Sequence, residues 1–441
     1  MANSRQLSQG RLVRAILILV SVVACCVSLV YCAQLDLPGY SGKAFHILYD
    51  QSLLYDAVLA VAAFTLVSLL FLFSDFSFGY FVGFYLYIMV LGYLWLNCFS
   101  DRHYDHQLTG ASASASAVAF LLPALFISTP IRQVCALSPR GFEYLLRFIL
   151  LISATTIAVA ASYDFRLVSF ENINDYRSTL ELRSPTIVKY LVGITSTALL
   201  PFAFACFVML KDRLRGLAVM LLLLCFYPIT VSKLAFFTPL WLVFMVWLSK
   251  VFETRICVIL SLLLPLLAGI VSLSFFIDRS GKFFGLTNFR MSAIPSAAMD
   301  VYNDFFSRHD LTNFCQISLL KPLIYCPYKE PLGVVLKGTY ELGNFNASLF
   351  ATEGIASVGP TFAPITVFLC GLVIALGNRL SAGLPPAFIL VSSAIMPQVL
   401  LNVPLTTTLL THGAALLFLL WYITPRSVFE PKLGTLTLAV G

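Results

Sequence analysis

Two stretches of this chain gather the residues best suited to holding an anion. The first reads Ser162-Tyr-Asp-Phe-Arg166, then Asp175-Tyr-Arg177, then Glu181-Leu-Arg183-Ser-Pro185. An Arg guanidinium is a planar fork that grips phosphate or carboxylate with two parallel hydrogen bonds. Tyr163, Phe170 and Tyr176 are rings of the kind that stack on sugar faces. Any single Arg here is better explained as the partner of Asp164, Asp175 or Glu181; the set of three favours a ligand. The second stretch opens with Asp278-Arg279, Lys282 and Arg290 and continues to Arg308-His309-Asp310 and Lys337-Gly-Thr-Tyr-Glu341. Between them, Ala297 to Phe306 has the pattern of a short amphipathic helix lying on a membrane surface.

Lys233 closes the segment Tyr227-Pro-Ile-Thr-Val-Ser-Lys233, between two apolar runs. An ammonium at such a depth is costly unless it is paired or meets water or a phosphate. Snorkelling to lipid phosphates competes with a bound diphosphate as its explanation. The histidines say less. His103 and His106 have a spacing found in metal pairs but no second ligand cluster, so no metal is expected. His309 has the chemistry of a base. His412 lies inside an apolar run, where a polar ring marks a bonding partner or a site.

The elements that must position these residues are set by composition. Of 441 residues 59% are hydrophobic and 11% charged, with mean hydropathy +0.90. Soluble domains carry about 25% charge, so the surplus apolar residues must face lipid. The apolar runs are continuous and long enough for helices, not the alternating strands of a barrel. The expected fold is one all-α polytopic integral membrane domain over residues 1–441. Twelve helices are predicted at about 12–33, 52–73, 77–98, 114–130, 142–162, 187–210, 215–231, 234–250, 255–276, 347–377, 384–403 and 406–424. The tenth is too long for a perpendicular span and must tilt or begin outside the bilayer. The first, Leu12 to Cys32, reads as a spanning helix rather than a cleaved signal.

Orientation follows from the connections. With both termini inside, thirteen Lys and Arg residues fall in the tails and short cytoplasmic loops, as the positive-inside rule requires. Fourteen others fall outside, eleven of them in or beside residues 163–186 and 277–346, the third and fifth outer loops. Long loops escape the charge bias, which permits this excess without explaining it. An anionic ligand, most simply a lipid-linked diphosphate, does explain it. The fifth loop is far longer than an ordinary connection, which argues for a functional insertion. Cys315 and Cys326 share it and are a pair that an oxidising compartment would allow to form a disulfide. Phosphate-binding, dinucleotide, nucleophile-elbow and zinc-protease signatures are absent, and there is no room for a globular nucleotide-sugar domain. Ala111 to Ala117 is a small-residue patch with no assigned role.

Twelve spans, both ends inside, and enlarged Arg-rich third and fifth outer loops resemble the O-antigen polymerases (Wzy type), the oligosaccharide repeat-unit polymerases of Gram-negative inner membranes. Ser232-Lys233 is similar to the Ser-Arg/Lys step that ends a helix in these enzymes and in the O-antigen ligases. Arg279 and Arg290 sit where fifth-loop arginines are expected. Asn344-Phe-Asn346-Ala-Ser-Leu-Phe-Ala-Thr-Glu353-Gly354-Ile-Ala-Ser-Val-Gly359 resembles the Asn-rich approach to the next helix. The Arg-x10-Gly pattern of some members is not cleanly present, since nine residues separate Arg183 from Gly193. The His that ligases carry before that helix is missing, and Gly343, Asn344 and Asn346 occupy the stretch.

The resemblance implies a GT-C-like fold in the bacterial inner membrane, with the active site facing the periplasm. The donor would be a glycan on undecaprenyl diphosphate and the acceptor a new lipid-linked repeat unit. A chain-length regulator and a flippase are implied as partners; nucleic acid is not. An acceptor hydroxyl would displace the lipid diphosphate with no metal and no cofactor, because cations stabilise a good leaving group directly. Lys233, Arg279 and Arg290 would bind the diphosphate; Arg166, Arg177, Arg183 and Tyr176 would bind glycan. Glu353, Glu341, His309 and Asp278 are the candidates for general base, Glu353 first. The alternatives are an O-antigen ligase-like enzyme and a transporter or flippase of lipid-linked oligosaccharides.

Overall fold

The computed structural model describes residues 2–37, 40–41, 45–168, 184–275, 281, 283–317, 320, 322–342 and 346–429. Ten helices among them are long and apolar enough to cross a membrane, the architecture of a polytopic membrane protein. We number the helices α1 (Ala2–Gln34), α2 (Gln51–Phe73), α3 (Phe78–Asn97), α4 (His106–Phe126), α5 (Pro139–Tyr163), α6 (Thr186–Met209), α7 (Arg213–Thr230), α8 (Lys233–Val251) and α9 (Thr254–Phe275). Then come α10 (Ile294–Phe306), α11 (Leu332–Tyr340), α12 (Phe350–Ser381), α13 (Pro386–Ser392), α14 (Met396–Leu400), α15 (Leu405–Leu410) and α16 (Ala414–Ile423). Extended pairing among the described residues is limited to a two-residue ladder, Asp36–Leu37 with Tyr40–Ser41, and one bridge, Ile47 to Ser100.

The first nine predicted spans are present, and the tenth appears as α12. Its length is resolved by a bend. Gly359 has φ 75 and ψ 169, a conformation open essentially to glycine alone, and Pro360 follows it. The two predicted helices at 384–403 and 406–424 are each broken in two. Pro397 has no N–H to continue the first across Ser393, and Gly413, at φ 74, stands just before α16 in the second.

The chain forms two compact units. One comprises residues 1–128, 245–378 and 396–409; the other comprises 129–244, 379–395 and 410–441. In the first, α3 is the central helix. Ser77 caps it by accepting from Tyr80 N, and every residue from Phe78 to Leu96 is buried. Water does not drive helices together inside lipid, so packing and buried hydrogen bonds must hold them. Phe71, Phe84 and Tyr87 interlock edge to face, and Tyr85 bonds Ser261 on α9 at 2.9 Å.

The fifth-loop helix differs from expectation. Instead of lying on a membrane surface, α10 is buried from Pro295 to Phe306. A π-helical segment, Gly285–Ala293, leads into it. Asn288 on that segment donates to Ser28 Oγ and Leu266 O, both at 2.8 Å. Gly269 makes this possible: a Cβ there would lie 1.6 Å from Asn288 Oδ1. Further along, Ser296 donates to Met89 O and Asn303 to Tyr93 OH, both at 2.9 Å. The polar face of α10 is turned inward because its partners are there.

In the second unit, Ala160, Val188 and Ile229 form a buried cluster joining α5, α6 and α7. Phe202 meets Phe388 of α13 edge to face, and Trp421 of α16 donates to Ser392 Oγ at 3.0 Å.

Candidate functional site

At the end of the first unit where α3 closes and α4 begins, α10 delivers Asp300 and Asp304 to Arg102. Arg102 Nε is 3.0 Å from Asp300 Oδ2 and its Nη1 3.5 Å from Asp304 Oδ2, with all three side chains buried. The closer contact is poorly aligned as a hydrogen bond and acts as an ion pair. The guanidinium also lies 4.7 Å from the centre of the Tyr340 ring, a cation–π contact. Asp304 Oδ2 further accepts from Tyr340 OH at 2.7 Å and from Arg308 Nη2 at 2.5 Å. Burial pushes the Asp300 carboxyl above the usual carboxylate range, with Tyr104, Ser100 and Arg102 pulling the other way.

The network continues away from α10. Tyr104 OH reaches both Asp300 Oδ1 and Asn97 Oδ1. Asn97 Nδ2 donates to His106 O, which sets the orientation of the amide. His106 then places Nδ1 at 2.8 Å from Asn97 Oδ1 and Nε2 at 2.9 Å from Arg102 O.

His106 and Asn97, with Gln107, line one end of a cavity of about 990 Å³. Its body is apolar, formed by residues of α2, α4 and α12 such as Ala63, Phe64, Ala115 and Phe368. The Ala111-to-Ala117 patch supplies Ala111, Ser114 and Ala115 to its wall. Small side chains at these positions keep the space open.

The sequence-derived site residues fall in several places. Glu353 is 5% exposed, not at a surface. Its Oε1 accepts from Thr406 N and Oγ1, both at 3.0 Å, and its Oε2 from Thr352 Oγ1 at 2.6 Å. Glu341 is exposed and ends α11 in a left-handed conformation, φ 57. His309 is exposed and stacks on Phe305 with centroids 4.0 Å apart. Its Nδ1 donates to Phe305 O at 2.8 Å, which leaves Nε2 as the basic nitrogen. Arg290 is exposed at the end of the π-helical segment. Asp278, Arg279, Tyr176, Arg177 and Arg183 lie outside the described residues.

Lys233 and Arg166 belong to the second unit. Lys233 is the first residue of α8, just past Val231, whose φ of 45 is a strained conformation for a β-branched residue. Arg166 is exposed, and its backbone N–H donates to Pro228 O at 2.9 Å. Tyr227 OH donates to Val168 O at 2.5 Å. The start of the third loop is thus fastened to the same helix break that carries Lys233.

Sequence reasoning missed Asp300, Asp304, Tyr104 and Tyr340. A usable signal existed: Asp300, Asp304 and Arg308 recur every four residues and mark one helix face. Cys315 and Cys326 are joined, closing the loop between α10 and α11. Among the described residues no three His, Cys, Asp or Glu side chains gather as a metal site. No protein-family model, no curated protein and no solved structure matches this chain.

Proposed function

We propose that the chain is a membrane glycosyltransferase that polymerises oligosaccharide repeat units carried on a polyprenyl diphosphate. The observation that carries this reading is the cavity between α2, α4 and α12. Its apolar body opens among candidate membrane helices and its polar end is built from Asn97, His106 and Gln107, which suits an amphiphile better than a free sugar. Exposed Arg290 of the same unit and the resemblance drawn from the sequence add cations for a diphosphate. The Cys315–Cys326 bond supports an oxidising, outward-facing compartment for the fifth loop.

In this reaction an acceptor hydroxyl attacks the anomeric carbon of the donor. The bond from that carbon to the diphosphate oxygen breaks, and the lipid diphosphate leaves with the electron pair. Arg290 and, by the sequence resemblance, Arg279 stabilise its charge. His309 Nε2 is our choice to take the hydroxyl proton, because it is exposed and basic, whereas both Glu353 oxygens are already engaged. The test is reconstitution of the purified chain with lipid-diphosphate-linked repeat units in EDTA. A ladder of products one repeat apart is expected.

One observation favours a second reading. The breaks between α13 and α14 and between α15 and α16 resemble the interrupted helices found at transporter binding sites. Movement of the intact lipid across a proteoliposome, with no ladder, would establish transport instead.

A further inference from the structure

The cavity between α2, α4 and α12 is deep as well as large. Its rim is at Gln107, where α4 begins, and its floor is at Leu122, fifteen residues further along the same helix. At 1.5 Å per residue that is about 22 Å. The wall from α2 agrees. Val67 lies sixteen residues along that helix from Gln51, about 24 Å from where it begins. These two helices begin at the same end of the unit, because Leu48 N donates to Phe99 O just before α2 and Asn97 donates to His106 O at the head of α4.

A bilayer's hydrocarbon core is about 30 Å thick, so one leaflet supplies about 15 Å of it. The cavity is therefore deeper than a leaflet. A phospholipid acyl chain held with its headgroup at the rim ends near the midplane and leaves the floor at Val67 and Leu122 empty. A polyprenyl chain is long enough to fill it. The wall suits hydrocarbon and nothing charged, since among the described residues no Lys, Arg, Asp or Glu lines it. Ala63, Ala111, Ala115 and Leu122 are exposed wall residues, so the cavity is open along its side and a chain enters from the bilayer without threading. Lipid surrounds a chain as favourably as an apolar wall does, so selection must come from fit rather than from water. Depth is the part of that fit that separates the two kinds of chain.

We propose that this cavity seats the polyprenyl chain of the lipid-linked substrate along α4 and past the bilayer midplane, with the charged group left outside the rim. Its depth selects a long prenyl chain over the acyl chains of the surrounding phospholipid. This rests on the reading of function given above and adds to it the part of the substrate that the cavity recognises.

The test uses the full chain in phosphatidylcholine vesicles with geranylgeranyl diphosphate that carries a photoreactive group at the tail end of its chain. Cross-links should concentrate on Val67, Leu122 and Phe368, deep in the wall. The shorter geranyl analogue should move them toward Leu94 and Gly110 near the rim. Unlabelled undecaprenyl diphosphate should suppress them roughly threefold or more, and added phosphatidylcholine should not. Ala115→Phe and Ala63→Phe fill the cavity from different helices, and each should lower the yield by a similar factor. Leu108→Phe, exposed on α4 outside the cavity, should leave it at the wild-type level. Cross-links scattered over lipid-facing positions, indifferent to chain length, or unchanged in both filled variants would overturn the site. Because this measurement needs no reaction, it separates the two claims. Deep cross-links without a product ladder would keep the site and remove the polymerase; a ladder with scattered cross-links would do the reverse.

Discussion

Arg102 and Asp300 meet at 3.0 Å although the chain separates them by about two hundred residues, and Asp300 has no exposed surface at all. The pair joins the turn between α3 and α4 to the fifth-loop helix. Removing one partner of such a pair strands the other in a medium that cannot solvate it. Arg102→Met should lower unfolding stability by about 3–5 kcal/mol. Combining it with Asp300→Asn should cost less than the two single losses added, because the stranded charge is gone. Additive losses in thermal or denaturant unfolding would mean the two groups are not coupled.

The same carboxyl gives a pH dependence with a definite sign. Its folded-state value is raised by burial, so the folded chain holds that proton more tightly than the unfolded chain. The resulting stabilisation is complete below the ordinary Asp value, near 4, and is lost as pH rises through the raised value. The wild-type unfolding midpoint should therefore fall relative to that of Asp300→Asn as pH is raised from about 4 to about 8. A constant difference over that window would show that burial does not set this carboxyl's titration.

Val231 holds a left-handed backbone next to Ser232 and Lys233. Left-handed conformations cost roughly 1–2 kcal/mol for residues with a Cβ. Glycine relieves that strain but adds unfolded-state entropy and removes a side chain that is 2% exposed, so Val231→Gly should lower stability by about 1–3 kcal/mol. If the break positions Lys233 for a diphosphate, the same variant should reduce glycan product. A smaller loss for Val231→Gly than for Val231→Ala would show the backbone strain being relieved.

Lys233→Ala and Arg279→Ala should each abolish long glycan with protein level unchanged, and His309→Gln should slow the reaction while leaving lipid binding intact. Product ladders and lipid retention measured together separate these outcomes. Wild-type ladders from Lys233→Ala and Arg279→Ala would remove the diphosphate clamp from the mechanism.

The Cys315–Cys326 bond closes a short loop of sequence separation 11. Cys315→Ser should lower stability by about 2–4 kcal/mol. A reducing agent should reproduce the loss in wild type and do nothing further to the variant. Equal responses of both to reduction would show that the bond is not formed.

Much of this fold was legible because apolar run length reports helices directly. The breaks in the last two predicted helices were signalled by Pro397 and Gly413, but hydropathy averaged over a window hides a proline. The π-helical segments at Gly285–Ala293 and Phe350–Ala356 leave no such mark. Asp300 and Asp304 were missed for a physical reason. A helix with one polar face reads as half-wet, and nothing in its own residues says that the polar face meets Arg102 rather than water. Glu353 is held inside by Thr406, some fifty residues later, a partner that its own neighbours in sequence do not announce.

The burial of α10 changes what the fifth loop can be in an evolving chain. A loop on the surface can be exchanged between relatives as a cassette, with its specificity travelling alone. This one cannot. Its acids rely on Arg102, its Asn288 on the missing side chain at Gly269, and its Ser296 on the backbone of α3. A transplanted segment would arrive with unmet charges unless those distant positions moved with it. Diversification here must proceed by linked changes scattered along the sequence, a pattern that blurs ancestry faster than substitution in a detachable module would.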